Sequence, residues 1–91
     1  MQTLIEQLFI WALTLSAYPD TDKRPELQAV SRQQLTQRVC PEAYCPAVAY
    51  YDPETRRIYY DQQIALDTDD YARSFIVHEM VHFLQQINGD I

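Results

Sequence analysis

The sequence has no run of lysine or arginine: 7 basic side chains face 13 acidic ones, for a formal net charge of −6. Without a basic stripe there is no electrostatic footprint for a phosphate backbone, and a nucleic-acid partner is not expected. Long apolar runs are missing as well. Residues 4–17 come nearest, but they lack a basic start, include Glu6 and Gln7, and are too few to span a bilayer. Neither a membrane span nor a signal segment is therefore expected there. Internal repeats and low-complexity tracts are absent. Histidine is scarce, with only two in 91 residues. What remains is one domain, residues 1–91, whose 47% hydrophobic content marks a globular chain and whose length limits it to a thin core.

Both histidines stand in one pentapeptide, His78-Glu79-Met80-Val81-His82. On an α-helix, positions i and i+4 share a face, so two imidazoles one turn apart converge on a single ion. This is the H-E-x-x-H pattern, in which zinc takes two histidine nitrogens and the glutamate is general base toward the attacking water.

The surroundings of the pattern support a helix. Asp67, Thr68, Asp69 and Asp70 gather before an apolar-periodic run, as a capping side chain and acidic first-turn residues do, and Gly89 marks the stop. At 100° per residue, Ile76, Val77, Met80, Val81, Phe83, Leu84 and Ile87 fill an arc of roughly 160°. His78 and His82 lie opposite, with Tyr71, Phe75 and Gln86, while Glu79 borders the same sector. Such a helix buries one face and presents His, His and Glu on the other.

A catalytic zinc takes three protein ligands and keeps one position open. No histidine is left for the third. An elongated motif with a glycine and a third histidine is excluded, because Gln85 and Asn88 stand at those positions. Downstream of His82 the only carboxylates are Asp90 and the chain terminus. Asp90 would sit roughly 12 Å along a continued helix, out of reach without a sharp reversal. The third position is left to an upstream acidic residue, to solvent, to a second subunit or to sequence beyond Ile91.

The motif helix, residues 67–89, with the tyrosine-rich segment before it, resembles the zincin metallopeptidases, specifically small bacterial zincin-like domains of the gluzincin type. The resemblance covers about residues 40–89, and its specific part is the pentapeptide alone. It implies that His78 and His82 bind Zn2+, that Glu79 is the catalytic base, and that a glutamate on a following helix completes the site. It also implies a peptide or protein substrate held in extended form along an edge strand, with a phenol or imidazole donating to the oxyanion. On this basis the expected activity is zinc-dependent peptide-bond hydrolysis. The alternative is a non-catalytic interaction module with an incomplete or absent metal site, working through apolar surface.

The rest of the chain reads as α+β: a minimal zincin-like domain with helices packed on a small antiparallel sheet or hairpin. Residues 4–17 fit an amphipathic helix with Leu4, Ile5, Leu8, Phe9, Ala12 and Leu15 on its packing side and Trp11 at the edge. Residues 27–31 read as a strand, and Ser31 with Gln34 is spaced like the capping box of a short helix through residues 35–39. Two runs rich in β formers, residues 47–51 and 57–60, flank Asp52-Pro53-Glu54-Thr55, where Asp then Pro favours a type I turn and a hairpin. Alternation sends one tyrosine of each pair, Tyr50/Tyr51 and Tyr59/Tyr60, to the core and the other outward, and any of the four is a candidate oxyanion donor.

Cys40 and Cys45, each followed by proline, admit a disulfide, a weak metal pair or two reduced thiols. The disulfide is favoured, and with it an exported or periplasmic setting. Finally, two wide apolar arcs on two helices are a large area for one small sheet to cover, which predicts self-association as a homodimer.

Overall fold

The computed structural model describes residues 2–40 and 48–89 of the chain. Among these the order is α1 (Gln2–Ser16), β1 (Glu26–Val30), α2 (Arg32–Val39), β2 (Ala49–Asp52), β3 (Arg57–Asp61) and α3 (Asp70–Ile87). The fold is α+β, as expected. Cys45 lies outside the described residues, and so does the pairing expected between it and Cys40.

The local signals act where the sequence places them. The Ser31 hydroxyl accepts from the Gln34 N–H, and the Gln34 side chain accepts in return from the Ser31 N–H. This reciprocal box fixes the first residue of α2 at Arg32. The carboxylate of Asp69 caps α3, accepting from the N–H groups of Tyr71 and Ala72 at 3.0 and 3.2 Å. At the far end, Gly89 takes a left-handed φ of 78° just past the Asn88 cap, a conformation that glycine adopts at no steric cost.

The sheet is mixed rather than antiparallel. Its order is β1-β3-β2, with β2 antiparallel to β3 and β1 parallel to it. The expected hairpin is the β2–β3 half. The parallel strand follows from α2: a helix beginning directly after β1 carries the chain across the sheet, so β3 returns beside β1 in the same direction. The reversal also differs from a simple type I turn. The Arg56 N–H bonds the Asp52 carbonyl at 2.8 Å, one residue further than a type I bond, with Arg56 at φ 57°.

Helices cover both faces of this sheet. On one side Tyr51, Ile58 and the partly buried Leu27 and Tyr60 meet α1 and α3 in the main core. There Phe83 sits edge-on to Phe9 of α1 at 6.1 Å and to Tyr51 of β2 at 6.0 Å. On the other side α2 closes a second, smaller core of Val30, Leu35 and Tyr59, with Tyr50 against it. One tyrosine of the β3 pair was expected to face out, but with both faces covered Tyr59 is buried against α2, the Arg38 guanidinium 4.0 Å from its ring centre.

Helix α1 departs from expectation on one residue. Leu8, Phe9 and Ala12 are buried and Leu4, Ile5 and Leu13 partly so, but Leu15 is 64% exposed. At 100° per residue Leu15 falls at the margin of the arc whose centre is Leu8, Ala12 and Phe9, and the helix ends one residue later at Ser16, with Ala17 at φ 61°. Ile10 and Trp11 are exposed on the same helix. Among the described residues no helix is long and apolar enough to cross a membrane.

Candidate metal centre

Helix α3 divides its surface as its periodicity requires. Ala72, Ile76, Val77, Met80, Phe83 and Leu84 are buried, while Val81 and Ile87 pack at the margin of the core. With that face fixed by burial, His78 and His82 point away from the core on the opposite one. Arg73 anchors the helix start to the preceding loop by donating to the carbonyl oxygens of Leu66 and Asp67.

The two imidazoles converge. Nε2 of His78 and Nε2 of His82 stand 3.2 Å apart, with the rings perpendicular. Two nitrogens bound at about 2.0–2.1 Å to one tetrahedral zinc are separated by about 3.3–3.4 Å, so the pair fits a shared ion. His82 is also held from behind. Its Nδ1 lies 2.9 Å from the Gln85 side-chain oxygen. An amide oxygen only accepts, so Nδ1 bears the proton and Nε2 keeps its lone pair for a cation.

Glu79 occupies the boundary between the histidine face and the core. Its side chain is 15% exposed, against 66% for His78, and Oε2 lies 3.9 Å from His78 Nε2. Oε1 accepts from the backbone N–H of Tyr51 at 3.0 Å. That donor is available for a topological reason. The Asp61 N–H bonds the Val48 carbonyl, so in an antiparallel ladder Tyr50 and Asp52 turn their backbone groups to β3, whereas Ala49 and Tyr51 turn theirs outward. The edge of β2 thus runs beside the base position. Burial pushes the Glu79 carboxyl above its ordinary range, opposed by the Tyr51 N–H and by the positive fields of His82 and His78.

His78, Glu79 and His82 bring their ligand atoms within 4.8 Å of one another, and among the described residues no further His, Cys, Asp or Glu joins them. Asp90 lies outside the described residues. The four tyrosines of the hairpin sort by face. Tyr51 donates its hydroxyl to Gln86, while Tyr50 and Tyr59 lie on the α2 side of the sheet. Sequence reasoning missed Gln85 as a partner of His82. The i, i+3 spacing on the exposed face was the available signal.

Compared with protein-family models, with curated proteins and with solved structures, the chain matches none.

Two outcomes are expected of this geometry. Calorimetric titration with Zn2+ should give a stoichiometry near one that both His78→Ala and His82→Ala abolish. Gln85→Leu, which frees the His82 ring and its tautomer, should weaken binding about 10- to 100-fold. Saturable binding that is indifferent to both histidines would remove the site.

The second outcome concerns pH. The folded Glu79 carboxyl keeps its proton to higher pH than the unfolded chain does. Stability is therefore lost as pH rises from the ordinary carboxylate value through the raised one. In metal-free protein, Glu79→Gln should melt at higher temperature than the parent at about pH 7 and at the same temperature at about pH 3.5. A variant that melts lower at neutral pH would mean that the Tyr51 and histidine contacts outweigh the cost of burial.

Proposed function

We propose that the chain is a zincin-like metallopeptidase, with His78 and His82 as metal ligands and Glu79 as general base. One observation carries this reading: two facing Nε2 atoms at 3.2 Å beside a largely buried carboxylate pinned to an edge strand. When bound, zinc supplies Lewis acidity toward the scissile carbonyl and its attacking water. The chain's own groups do the rest. Burial raises the proton affinity of the Glu79 carboxyl in the metal-free chain, the direction a general base near neutral pH requires. Oε1 is held by Tyr51, which leaves Oε2 on the histidine side to take the proton from water. The outward groups of Ala49 and Tyr51 on β2 give an extended peptide a strand to lie against. Closing the third ligand position falls to a group beyond the three residues of the cluster.

Glu79→Gln is expected to retain the metal and to lose peptide hydrolysis by about 10²- to 10⁴-fold, because an amide cannot accept the proton. A peptide-library digest of both proteins checks this. Equal cleavage overturns the base assignment, and no cleavage by either overturns the peptidase.

A second reading, the interaction module, is favoured by one observation: Ile10, Trp11 and Leu15 are 59%, 41% and 64% exposed on α1. The occupant this reading commits to is a second copy, since a two-fold contact uses the same stripe twice. Light scattering at high micromolar concentration should then give a dimer mass, reduced to monomer by Trp11→Ser with Leu15→Ser. A monomeric parent would end this reading.

A further inference from the structure

The sheet has two edges, and the candidate metal centre uses only the one formed by β2, where the outward N–H of Tyr51 is bound to Glu79. The other edge is β1. Its Glu26 N–H donates to the Arg56 carbonyl and its Val30 carbonyl accepts from the Gln62 N–H, so the even-numbered residues of β1 face β3. Leu27 and Ala29 turn their N–H and C=O outward. Among the described residues no hydrogen bond reaches those groups. An edge is commonly guarded against strand addition by a lysine, a proline or a bulge, but β1 runs in unbroken register from Glu26 to Val30 and contains none of them. Its one charge, Glu26, is paired with Arg57 at 3.0 Å.

The flanking residues limit the free edge to Leu27 and Ala29. Pro25 has no N–H to offer, and Ser31 has both backbone groups engaged at the start of α2, its N–H with Gln34 and its carbonyl with Leu35. A second copy running antiparallel about a two-fold axis at Gln28 matches this arrangement, because Leu27 then exchanges both backbone bonds with Ala29 of the second copy, and Ala29 with its Leu27. Every outward group finds a partner. A shift of two residues either way fails, since it sets Ala29 opposite Pro25 or Leu27 opposite Ser31.

The side chains agree with that register. On the α1 side, the half-buried Leu27 lies beside the small, exposed Ala29 of the second copy. On the α2 side, Glu26 comes opposite Val30 of the second copy, at a hollow of about 390 Å3 lined by Gln34, Gln37 and Arg38 and by no acidic residue. In a chain of net charge −6, an acid here meets donors rather than another acid. The two Glu26 carboxylates stay four residues, or about 14 Å, apart along the strands.

We infer that β1 is a self-association edge, through which two copies join their sheets at Leu27 and Ala29 into one sheet of order β2-β3-β1-β1-β3-β2. This surface is distinct from the α1 stripe, and the inference is independent of the peptidase reading. The two metal centres then stand at opposite ends of the joint sheet, their β2 strands about 24 Å apart at about 4.8 Å per strand. Both β2 edges stay open, and neither copy supplies the other with a third ligand.

Light scattering of the full chain at high micromolar concentration should give twice the chain mass, with return to monomer on dilution because a contact of this size holds weakly. Ala29→Pro removes an N–H that the monomer does not use, which an edge strand tolerates, and should give a monomer with unchanged circular dichroism and zinc titration. Oxidation by diamide tests the register. Gln28 is a non-hydrogen-bonded pair with its own equivalent, with Cα atoms about 4.5 Å apart, so Gln28→Cys should cross-link into a covalent dimer. Glu26→Cys, about 14 Å from its equivalent, should not. The parent chain, oxidised alongside, controls for Cys40 and Cys45. If Ala29→Pro unfolds, the Gln28→Cys cross-link decides. A dimer that survives Ala29→Pro overturns the β1 contact, and its loss in Trp11→Ser with Leu15→Ser then assigns the interface to the α1 stripe. Equal cross-linking of the two cysteine variants, or none in either, overturns the register. A monomeric parent overturns the second copy as occupant and leaves the edge to a strand of another protein.

Discussion

Tyr51 ties the edge strand to the motif helix through three different groups, and the candidate site depends on all of them. Its ring packs edge-on against Phe83 in the main core. Its hydroxyl donates to Gln86, whose amide donates in turn to the Pro53 carbonyl in the β2–β3 reversal. Its backbone N–H holds Glu79. A carboxylate so largely buried costs free energy unless a donor meets it, and the donor that meets this one is the Tyr51 N–H, on the outward side of β2. Strand register, hairpin and base position are therefore one constraint. A slip of one residue would turn the Tyr51 ring to the α2 side and its N–H toward β3.

Two neighbouring glutamines show how finely a helix separates tasks. Gln85 lies on the histidine side and its amide oxygen meets His82 Nδ1, whereas Gln86, 100° further round, reaches the hairpin. Exchanging their places would leave the helix intact and undo both contacts. The small size of the chain makes such contacts matter. Its apolar residues are shared between two cores on opposite faces of a three-stranded sheet, so neither core is thick.

What could be read from sequence was local or periodic. The Asp69 cap, the Ser31 box, the Gly89 stop and the 100° spacing of the α3 core all act within a few residues, and the structure keeps each of them. The α+β class followed from the same signals. What could not be read depended on distant chain. Leu15 matched the apolar arc of α1 but is 64% exposed, because periodicity within a helix does not say what packs against it. Alternation put Tyr59 and Tyr60 on opposite faces of the sheet but did not say which of them met the main core. Only the arrival of α2 on the second face buried Tyr59 there.

By itself the sequence determined that residues 78, 79 and 82 share one face of a helix, because a period of 3.6 and the capping residues leave no other arrangement. It likewise determined that β2 and β3 form a hairpin. Tertiary structure alone decided that β1 joins in parallel, that β2 becomes the edge strand, and that the outward N–H of Tyr51 meets Glu79. Each of these requires chain segments distant in sequence to pack together, and no pattern within either segment encodes their distance or angle.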